Sequence, residues 1–267
     1  MSDIGWTGLG VSALLVGVAV GLSLWRRLGL EASLLWSALR ALVQLLAIGL
    51  LLEVLLDPGV STWWGWAWVV VMLVIAAFTV RRRAPGVPAI FELSLVAFST
   101  SAVLTLGVLF GLGVFELRIR TLIPLAGLMI GNSLATTVLV SRRLVDELSD
   151  KRDEVEARLA LGQPSAVAAH PYVRSALRTA LIPQIETTKA VGLIALPGAM
   201  TGLILAGVDP IDAVRVQASV MFLILGSVAT TTTVMALGIR RRLFTPDHRL
   251  RRLGAPEGLS QPPRPGR

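Results

Sequence analysis

Long stretches without a charged residue dominate this chain and decide what it can fold into. Six runs contain no Asp, Glu, Lys or Arg: 4–25, 58–80, 93–115, 121–141, 190–208 and 216–239. A seventh apolar run, 32–52, is interrupted only by Arg40. A helix needs about 20 mostly apolar residues to cross a bilayer. Because backbone groups in lipid must pair internally, the sequence predicts an all-α integral membrane protein with seven transmembrane helices.

Composition supports a membrane protein rather than a soluble domain. Hydrophobic residues make up 54% of the 267 positions and charged residues only 16%, whereas about 25% is usual for soluble domains. The net charge of +8 comes from basic residues beside the apolar runs, and no pattern typical of RNA or DNA binding accompanies them. We therefore predict no nucleic-acid partner. The sequence contains no cysteine, which excludes disulfides and thiolate metal sites.

The distribution of basic residues predicts the orientation in the membrane. With the N-terminus outside, 21 of the 25 Lys and Arg residues fall in cytoplasmic segments and only Arg118, Arg120 and Arg215 fall outside. Positively charged loops stay in the cytoplasm. We expect a multi-pass protein of the plasma or inner membrane with the N-terminus out and the C-terminus in.

The longest polar stretch between spans, 141–189, predicts a cytoplasmic helical coupling segment between helices 5 and 6. Its first helix is expected over 146–161, and Gly162 supplies the C-terminal stop. A second helix is expected over 165–181, with Pro183 ending or bending it. Helical spacing of apolar residues favours a docking role over a solvated linker. The spaced residues are Leu144, Leu148, Val155 and Leu159.

The sequence predicts one membrane domain followed by a polar tail. We predict a permease domain over 1–244 and a disordered cytoplasmic tail over 245–267, because the tail has too little apolar surface to fold. Arginines of the tail are expected to rest near anionic lipid headgroups. Four GxxxG motifs predict close helix packing, either within the chain or at a subunit interface. They are Gly17 with Gly21, Gly107 with Gly111, Gly127 with Gly131, and Gly198 with Gly202.

Enzyme activity is not predicted, and no residue is assigned a catalytic role. A P-loop needs the pattern G-x-x-x-x-G-K-[ST] to hold phosphates, yet the only lysines are Lys151, followed by Arg, and Lys189, followed by Ala. The two histidines, His170 and His248, lie in the polar insert and in the tail. This chain is therefore expected to bind no cofactor itself.

Polar residues within spans are costly and become candidates for a substrate path. Arg40 and Gln44 lie four residues apart on one helical face, although Arg40 could instead snorkel to the interface or pair with Glu92 or Glu186. Hydrogen bonding between helices is the simpler interpretation of the hydroxyl-rich patches 132–137 and 230–233. The path candidates are Arg40, Gln44, Asn132, Glu186 and Met200. A metal site is undetermined, and Glu53, Glu92 and Glu186 are the weak candidates for it.

Several passages resemble a known family. Residues 156–162, with Glu156, Ala157 and Gly162, are similar to the E-A-A-x3-G loop by which permeases of ATP-binding-cassette (ABC) transporters dock on their ATPase subunits. The match is partial, because Ile182-Pro183 follows later than the ending of that loop. More specific are residues 123–132, IPLAGLMIGN, and residues 188–210, TKAVGLIALPGAMTGLILAGVDP. These resemble the FetB-like membrane subunits, and the similarity extends over about 34–242.

The resemblance implies a function that composition alone does not give. Family members act as permeases with a separate ATPase subunit, which carries the ATP and Mg²⁺, and bacterial members are described as iron exporters. Plant relatives are linked to aluminium tolerance and to nucleotide-sugar transport. We therefore expect a homodimeric iron-export permease in contact with membrane lipid. A permease for a nucleotide-sugar or another anion, or a standalone secondary transporter or channel, stays an alternative.

Overall fold

The computed structural model describes residues 6–57, 59–194, 196–247 and 249–251, and their regular structure is helical. An isolated antiparallel bridge between Phe244 and Leu250 accompanies the helices. This confirms the all-α class. The helices are α1 Trp6–Arg26, α2 Glu31–Leu55, α3 Thr62–Arg83, α4 Ile90–Gly111, α5 Ile119–Asp150, α6 Arg152–Ala160, α7 Ser165–Ala168, α8 His170–Ala190, α9 Gly198–Leu205 and α10 Pro210–Leu243.

Five of these helices are long and apolar enough to cross a membrane within the described residues: α2, α3, α4, α5 and α10. They account for five of the seven predicted spans. In α1, the apolar part searched is shorter, Gly10–Arg26. The predicted number of seven spanning helices is therefore not confirmed, and the orientation stays a prediction.

The apolar run 190–208 does not form one helix, so the prediction of a continuous spanning helix there is wrong. Helix α8 ends at Ala190, and α9 begins only at Gly198 and has eight residues. Gly192 has a φ of +89°, a left-handed conformation that side-chain-bearing residues rarely adopt. Pro197 then lies immediately before α9. Backbone geometry at Gly192 and Pro197 interrupts the helix although the apolar composition continues across both positions.

The described chain divides into two compact units, Met1–Trp64 and Gly65–Arg267. Helices α1 and α2 pack together in the first unit. The turn between them is fixed by Ser23, which is 2% exposed. Its hydroxyl donates to Glu31 Oε1 at 2.7 Å and accepts from the backbone N–H of Leu30 at 3.3 Å.

Helix α10 is the centre of the second unit and packs against α4, α5, α8 and α9. Buried hydroxyls join it to α4 and α5: Ser133 Oγ lies 3.4 Å from Ser227 Oγ, and Thr232 Oγ1 lies 3.3 Å from Thr136 Oγ1. Ser101 on α4 donates to the carbonyl of Ser227 at 3.1 Å. Three members of the predicted hydroxyl patches, Ser133, Thr136 and Thr232, thus make contacts between helices, whereas Thr137 donates within its own helix.

Most GxxxG glycines of the second unit do not bring helices together. Among the described residues, a Cβ atom added at these glycines would meet no neighbouring atom within 4 Å; they are Gly107, Gly111, Gly131, Gly198 and Gly202. Gly127 differs, because its added Cβ would lie 3.3 Å from the side chain of Met72 on α3. The five positions therefore do not bring helices of the second unit together. Packing of these glycines on other helices stays a prediction.

The chain continues in ordered form past the predicted start of the tail at 245. After α10 it turns back so that the N–H of Arg251 donates to the carbonyl of Leu243 at 2.8 Å. Leu250 is only 5% exposed and belongs to the same apolar core as Phe244. We call residues 244–247 and 249–251 the C-terminal turn; His248 and residues 252–267 lie outside the described part of the chain.

Candidate functional site

The predicted coupling segment is a packed structure. Helix α5 extends beyond its apolar part to Asp150, and α6 follows after a break at Lys151. Leu144, Leu148 and Val155 of the predicted apolar stripe are fully buried, and Leu159 packs beside them. The predicted helix 146–161 therefore exists as the end of α5 plus α6. Burial of its stripe gives it fixed contacts with the membrane helices, which a solvated linker would lack.

The second half of the segment differs from the prediction at its far end. A short helix, α7, precedes α8, and α8 continues through Pro183 to Ala190. Pro183 therefore does not end the helix. The buried face of α8 packs on α5 and α10, and this packing offsets the loss of one backbone hydrogen bond at the proline.

Gly162 ends α6 as predicted. Its φ is +83°, its N–H donates to the carbonyl of Leu159 at 2.9 Å, and the N–H of Gln163 donates to the carbonyl of Arg158 at 3.1 Å. These two bonds form a Schellman motif, which favours glycine at the left-handed position. The motif reverses the chain between α6 and α7 and fixes the shape of the outermost turn.

The outermost turn exposes apolar side chains. Leu161 is 82% exposed and Val167 53% exposed. We call this the tip surface, and its residues are Glu156, Ala157, Ala160, Leu161, Gly162 and Val167. It contains all three predicted coupling residues, Glu156, Ala157 and Gly162, and each of them is exposed. An exposed leucine on a rigid turn is suited to docking into an apolar pocket of a partner.

A polar network fixes α6 against α8. The hydroxyl of Tyr172 donates to Glu154 Oε2 at 2.7 Å, and Lys151 Nζ lies 3.2 Å from Glu154 Oε1. On the neighbouring turn, Ser175 donates to Glu147 Oε1 at 2.8 Å. The hydrogen bond from Tyr172 lowers the pKa of Glu154, with help from Lys151. Burial, and then the bond to Glu154, raises the pKa of Tyr172 above 10.0.

Arg152 connects α6 to the C-terminal turn. Its Nε lies 2.7 Å from Glu156 Oε1, and its terminal nitrogens donate to the carbonyls of Leu250 at 3.0 Å and Arg251 at 3.3 Å. Arg152 thus contacts both Glu156, a predicted coupling residue, and the last residues of the described chain. The tip surface is therefore supported from α8 on one side and from the C-terminal turn on the other.

Path candidates in the first unit lie on α2. Arg40, Gln44 and Glu53 are all exposed there, and Ser37 bonds to backbone carbonyls of its own helix at Ser33 and Leu34. Ser33, Ser37, Arg40 and Gln44 recur at helical spacing and form one polar face. The roles of Arg40 and Gln44 in a substrate path, and the pairing of Arg40 with an acid, stay predictions.

Path candidates in the second unit are not brought together by hydrogen bonds or ion pairs among the described residues. Asn132 donates to the carbonyl of Leu128 at 2.8 Å, within its own helix. Glu186 pairs with Lys189 at 2.9 Å, which confirms the local pair as the simpler interpretation of these two residues. Met200 lies on α9 and is half-buried, and Glu92 is exposed in the first turn of α4. In the described parts of the chain, no three His, Asp or Glu side chains gather as metal ligands.

Comparison with known proteins assigns the chain to a family. The profile of the uncharacterised protein family UPF0014 matches residues 6–244, which is most of the sequence. The chain belongs to the UPF0014 family. Together with the apolar helices, this membership shows that it is a membrane protein.

Relatives within UPF0014 come from plants and bacteria. The chain is 37% identical over 221 residues to the UPF0014 membrane protein STAR2 of Oryza sativa subsp. japonica, covering 83% of this chain and 77% of the relative. It is 31% identical over 247 residues to the probable iron export permease protein FetB of Escherichia coli, covering 91% and 93%. It is 34% identical over 217 residues to the protein ALUMINUM SENSITIVE 3 of Arabidopsis thaliana, covering 81% and 79%. No solved structure matches the chain.

Sequence reasoning missed the residues that support the tip surface. The partners of these residues are distant in sequence: Tyr172 bonds to Glu154, and Arg152 bonds to Leu250. Arg152 and Glu154 also lie in a run of charged residues that is typical of a solvated surface. The sequence does single out Tyr172 in one way, because it is the only tyrosine of this UPF0014 chain and lies in a polar segment. The contact between Arg152 and Leu250 has no sequence signal, since 98 residues separate them.

Proposed function

We propose that this UPF0014 protein is the transmembrane permease subunit of an ABC transporter that exports iron, with ATP and Mg²⁺ bound by a separate ATPase subunit. The observation that carries the proposal is the tip surface, a rigid and exposed apolar turn on a helical segment joined to membrane helices. A subunit that takes its energy from another protein needs such a mechanical connection. The absence of a P-loop in this chain agrees with a separate ATPase.

The connection between tip and membrane is direct in the described structure. Helix α6 follows α5 after a single residue, and the buried stripe of α5 and α6 contacts α8 and α10 through the apolar core. Movement of a docked ATPase would therefore shift α5 and α8 as packed bodies. Coupled helix movement of this kind is how alternating access operates.

Iron as cargo rests on similarity to FetB, whose name describes a probable iron export permease. The described residues supply no dense ligand cluster, which fits a transported ion that must bind weakly enough to leave. We propose that Arg40 and Gln44, on the polar face of α2, contact the cargo. Asn132, Glu186 and Met200 are separate candidates for cargo contact in the second unit. Arg40 would instead attract an anionic cargo such as a nucleotide-sugar, which is the second candidate.

A homodimer is proposed from the open faces of the second unit. Leu193 is 94% exposed and Ile194 87% exposed in the non-helical stretch between α8 and α9. Backbone groups of irregular segments at membrane depth need protein or a water-filled cavity around them. A second copy packed on Gly198 and Gly202 would supply this cover. Because the chain lacks cysteine, Gly202→Cys should give a crosslinked dimer under oxidation, whereas fully buried Ala126→Cys should not.

The docking proposal is tested by co-purification with a candidate ABC-type ATPase subunit from the same organism. Leu161→Asp should abolish co-purification and ATPase coupling while the membrane helices stay folded, because a charge replaces the exposed apolar anchor. The matched control is Leu112→Asp, since Leu112 is 76% exposed in the loop after α4. We place this loop on the opposite side of the membrane. Normal binding by the Leu161 variant, or equal loss in the control, would contradict the docking assignment.

A further inference from the structure

An apolar groove opens between α4 and α10 near the arginine-rich end of α10. The cavity measures about 370 Å³ and is lined by Leu93 and Val96 of α4 and by Val234, Leu237 and Gly238 of α10, with Arg241 and Arg242 at its end. The side chain of Leu93 packs closely on Gly238, because a Cβ added there would lie 2.8 Å from Leu93 Cδ2. The groove has the apolar lining of a site for a hydrocarbon chain.

Two basic cavities adjoin this groove. One measures about 580 Å³ and is lined by His170, Val173, Arg174, Leu177, Arg178, Leu237 and Arg240. The other measures about 430 Å³ and includes Arg240, Arg241, Arg242 and Arg251. Leu237 belongs to the groove and the first cavity, and Arg241 and Arg242 belong to the groove and the second. None of the residues that line the three cavities carries a carboxylate.

The arginines around these cavities have no protein partner among the described residues. No hydrogen bond or ion pair within that part of the chain engages the side chains of Arg174, Arg178, Arg240, Arg241 or Arg242. Two of these arginines line the apolar groove and three line the cavity beside it. Guanidinium groups gathered in this way can bind one anionic group together.

The level of the cluster in the membrane identifies the anion. The uncharged run of α10 ends at Ile239, and one helical turn is about 5.4 Å long. Arg240, Arg241 and Arg242 therefore lie where hydrocarbon gives way to headgroups, and Leu237 lies just inside. We propose that α4, α8 and α10 bind an anionic phospholipid, with its phosphate between the arginines of α8 and α10 and an acyl chain in the α4–α10 groove. A basic pocket between transmembrane helices is the usual setting for such a lipid.

The proposed lipid site lies beside the helices that hold α6. Arg174 and Arg178 lie on α8, the helix whose Tyr172 holds α6, and Arg240 lies on the central helix α10. A lipid bound between α8 and α10 would bridge the two helices by its phosphate. The inference does not depend on the transport function, because it rests on charge, cavity shape and membrane level alone.

The test is lipid retention by purified protein, measured by native mass spectrometry. The wild-type chain should retain phosphatidylglycerol at least about tenfold better than phosphatidylcholine of the same acyl length, as expected for several arginines acting together. The double variant Arg174→Gln/Arg240→Gln should lose this preference. The matched control is Arg81→Gln/Arg143→Gln, which removes two charges directly beyond other apolar runs and should keep it.

A second comparison separates the lipid from a soluble phosphate compound. Val96→Trp should fill the groove and weaken retention of phosphatidylglycerol, whereas Val103→Trp, on an exposed part of α4 outside the groove, should not. Glycerol 3-phosphate, which carries the phosphate without acyl chains, should compete poorly. If glycerol 3-phosphate binds as well as the lipid, the ligand is a soluble phosphate and the lipid proposal is overturned. Equal retention of the two lipids by wild-type protein, or equal loss in both double variants, would overturn it as well.

Discussion

Removal of the C-terminal turn should loosen α6, although a tail rich in proline and glycine first suggests that truncation would be silent. A chain ending at Phe244 loses Leu250, which is 5% exposed, and both carbonyls that accept from Arg152. The matched control ends at Arg251 and keeps these contacts. Comparison of the two truncations isolates the turn from everything that follows it.

The expected rise in the amide exchange rate of α6 follows from the two hydrogen bonds that Arg152 loses. A hydrogen bond from a charged donor contributes about 1.5–3 kcal/mol when well buried, and the Arg152 side chain is 33% exposed, so about 1 kcal/mol each is a fair value here. Two such bonds give roughly 2 kcal/mol for local opening of α6, which corresponds to amide exchange faster by roughly thirtyfold. Hydrogen–deuterium exchange measured on α6 by mass spectrometry tests this value. Equal exchange in the two truncated chains would refute the reasoning.

Four further predictions concern single residues. Gly162→Leu should uncouple ATPase turnover from transport without unfolding the spans, because the left-handed backbone at φ +83° costs a side-chain-bearing residue about 1–2 kcal/mol; normal coupling measured in proteoliposomes would count against it. Burial, and then the bond to Glu154, raises the pKa of Tyr172, the only tyrosine, so an ultraviolet absorbance titration should show it ionising above the usual range of tyrosine; ionisation within that range would contradict the buried, bonded placement. The lowered pKa of Glu154 stabilises α6 above about pH 4.5 and is lost as the pH falls through the folded value, so Tyr172→Phe should make α6 exchange less sensitive to acid. Arg40→Gln should impair transport of the true cargo in vesicles more than Arg118→Gln, whose side chain is exposed and paired with Glu116; equal activity would remove Arg40 from the path.

Periodicity and local backbone chemistry were enough to predict much of this molecule. The burial of Leu144, Leu148 and Val155 follows from helical spacing, and the end of α6 at Gly162 follows from the preference of glycine for positive φ. Both signals lie within a few residues of the feature that they predict, which is why the helices between 141 and 162 could be predicted from sequence.

Hydropathy predicted the wrong structure for residues 190–208, because their apolar composition suits a helix and their backbone geometry does not. Residues 190–208 are uniformly uncharged, yet Gly192 and Pro197 break them into a turn and an eight-residue helix. The C-terminal turn was missed for a different reason, because Leu250 is buried only through contacts with distant parts of the chain. Neither the Tyr172–Glu154 bond nor the Arg152–Leu250 bond has a local pattern, since each depends on how α6, α8 and the end of α10 pack.

We propose that this chain moves iron with energy from a separate ATPase. The direct measurement is ATP-dependent iron movement in proteoliposomes that contain both subunits, with a nucleotide-sugar offered in parallel. We expect iron transport that requires ATP and the partner subunit and that Leu161→Asp abolishes, with no movement of the nucleotide-sugar. Iron movement without ATPase or ATP, or ATP-driven transport of the nucleotide-sugar alone, would contradict it.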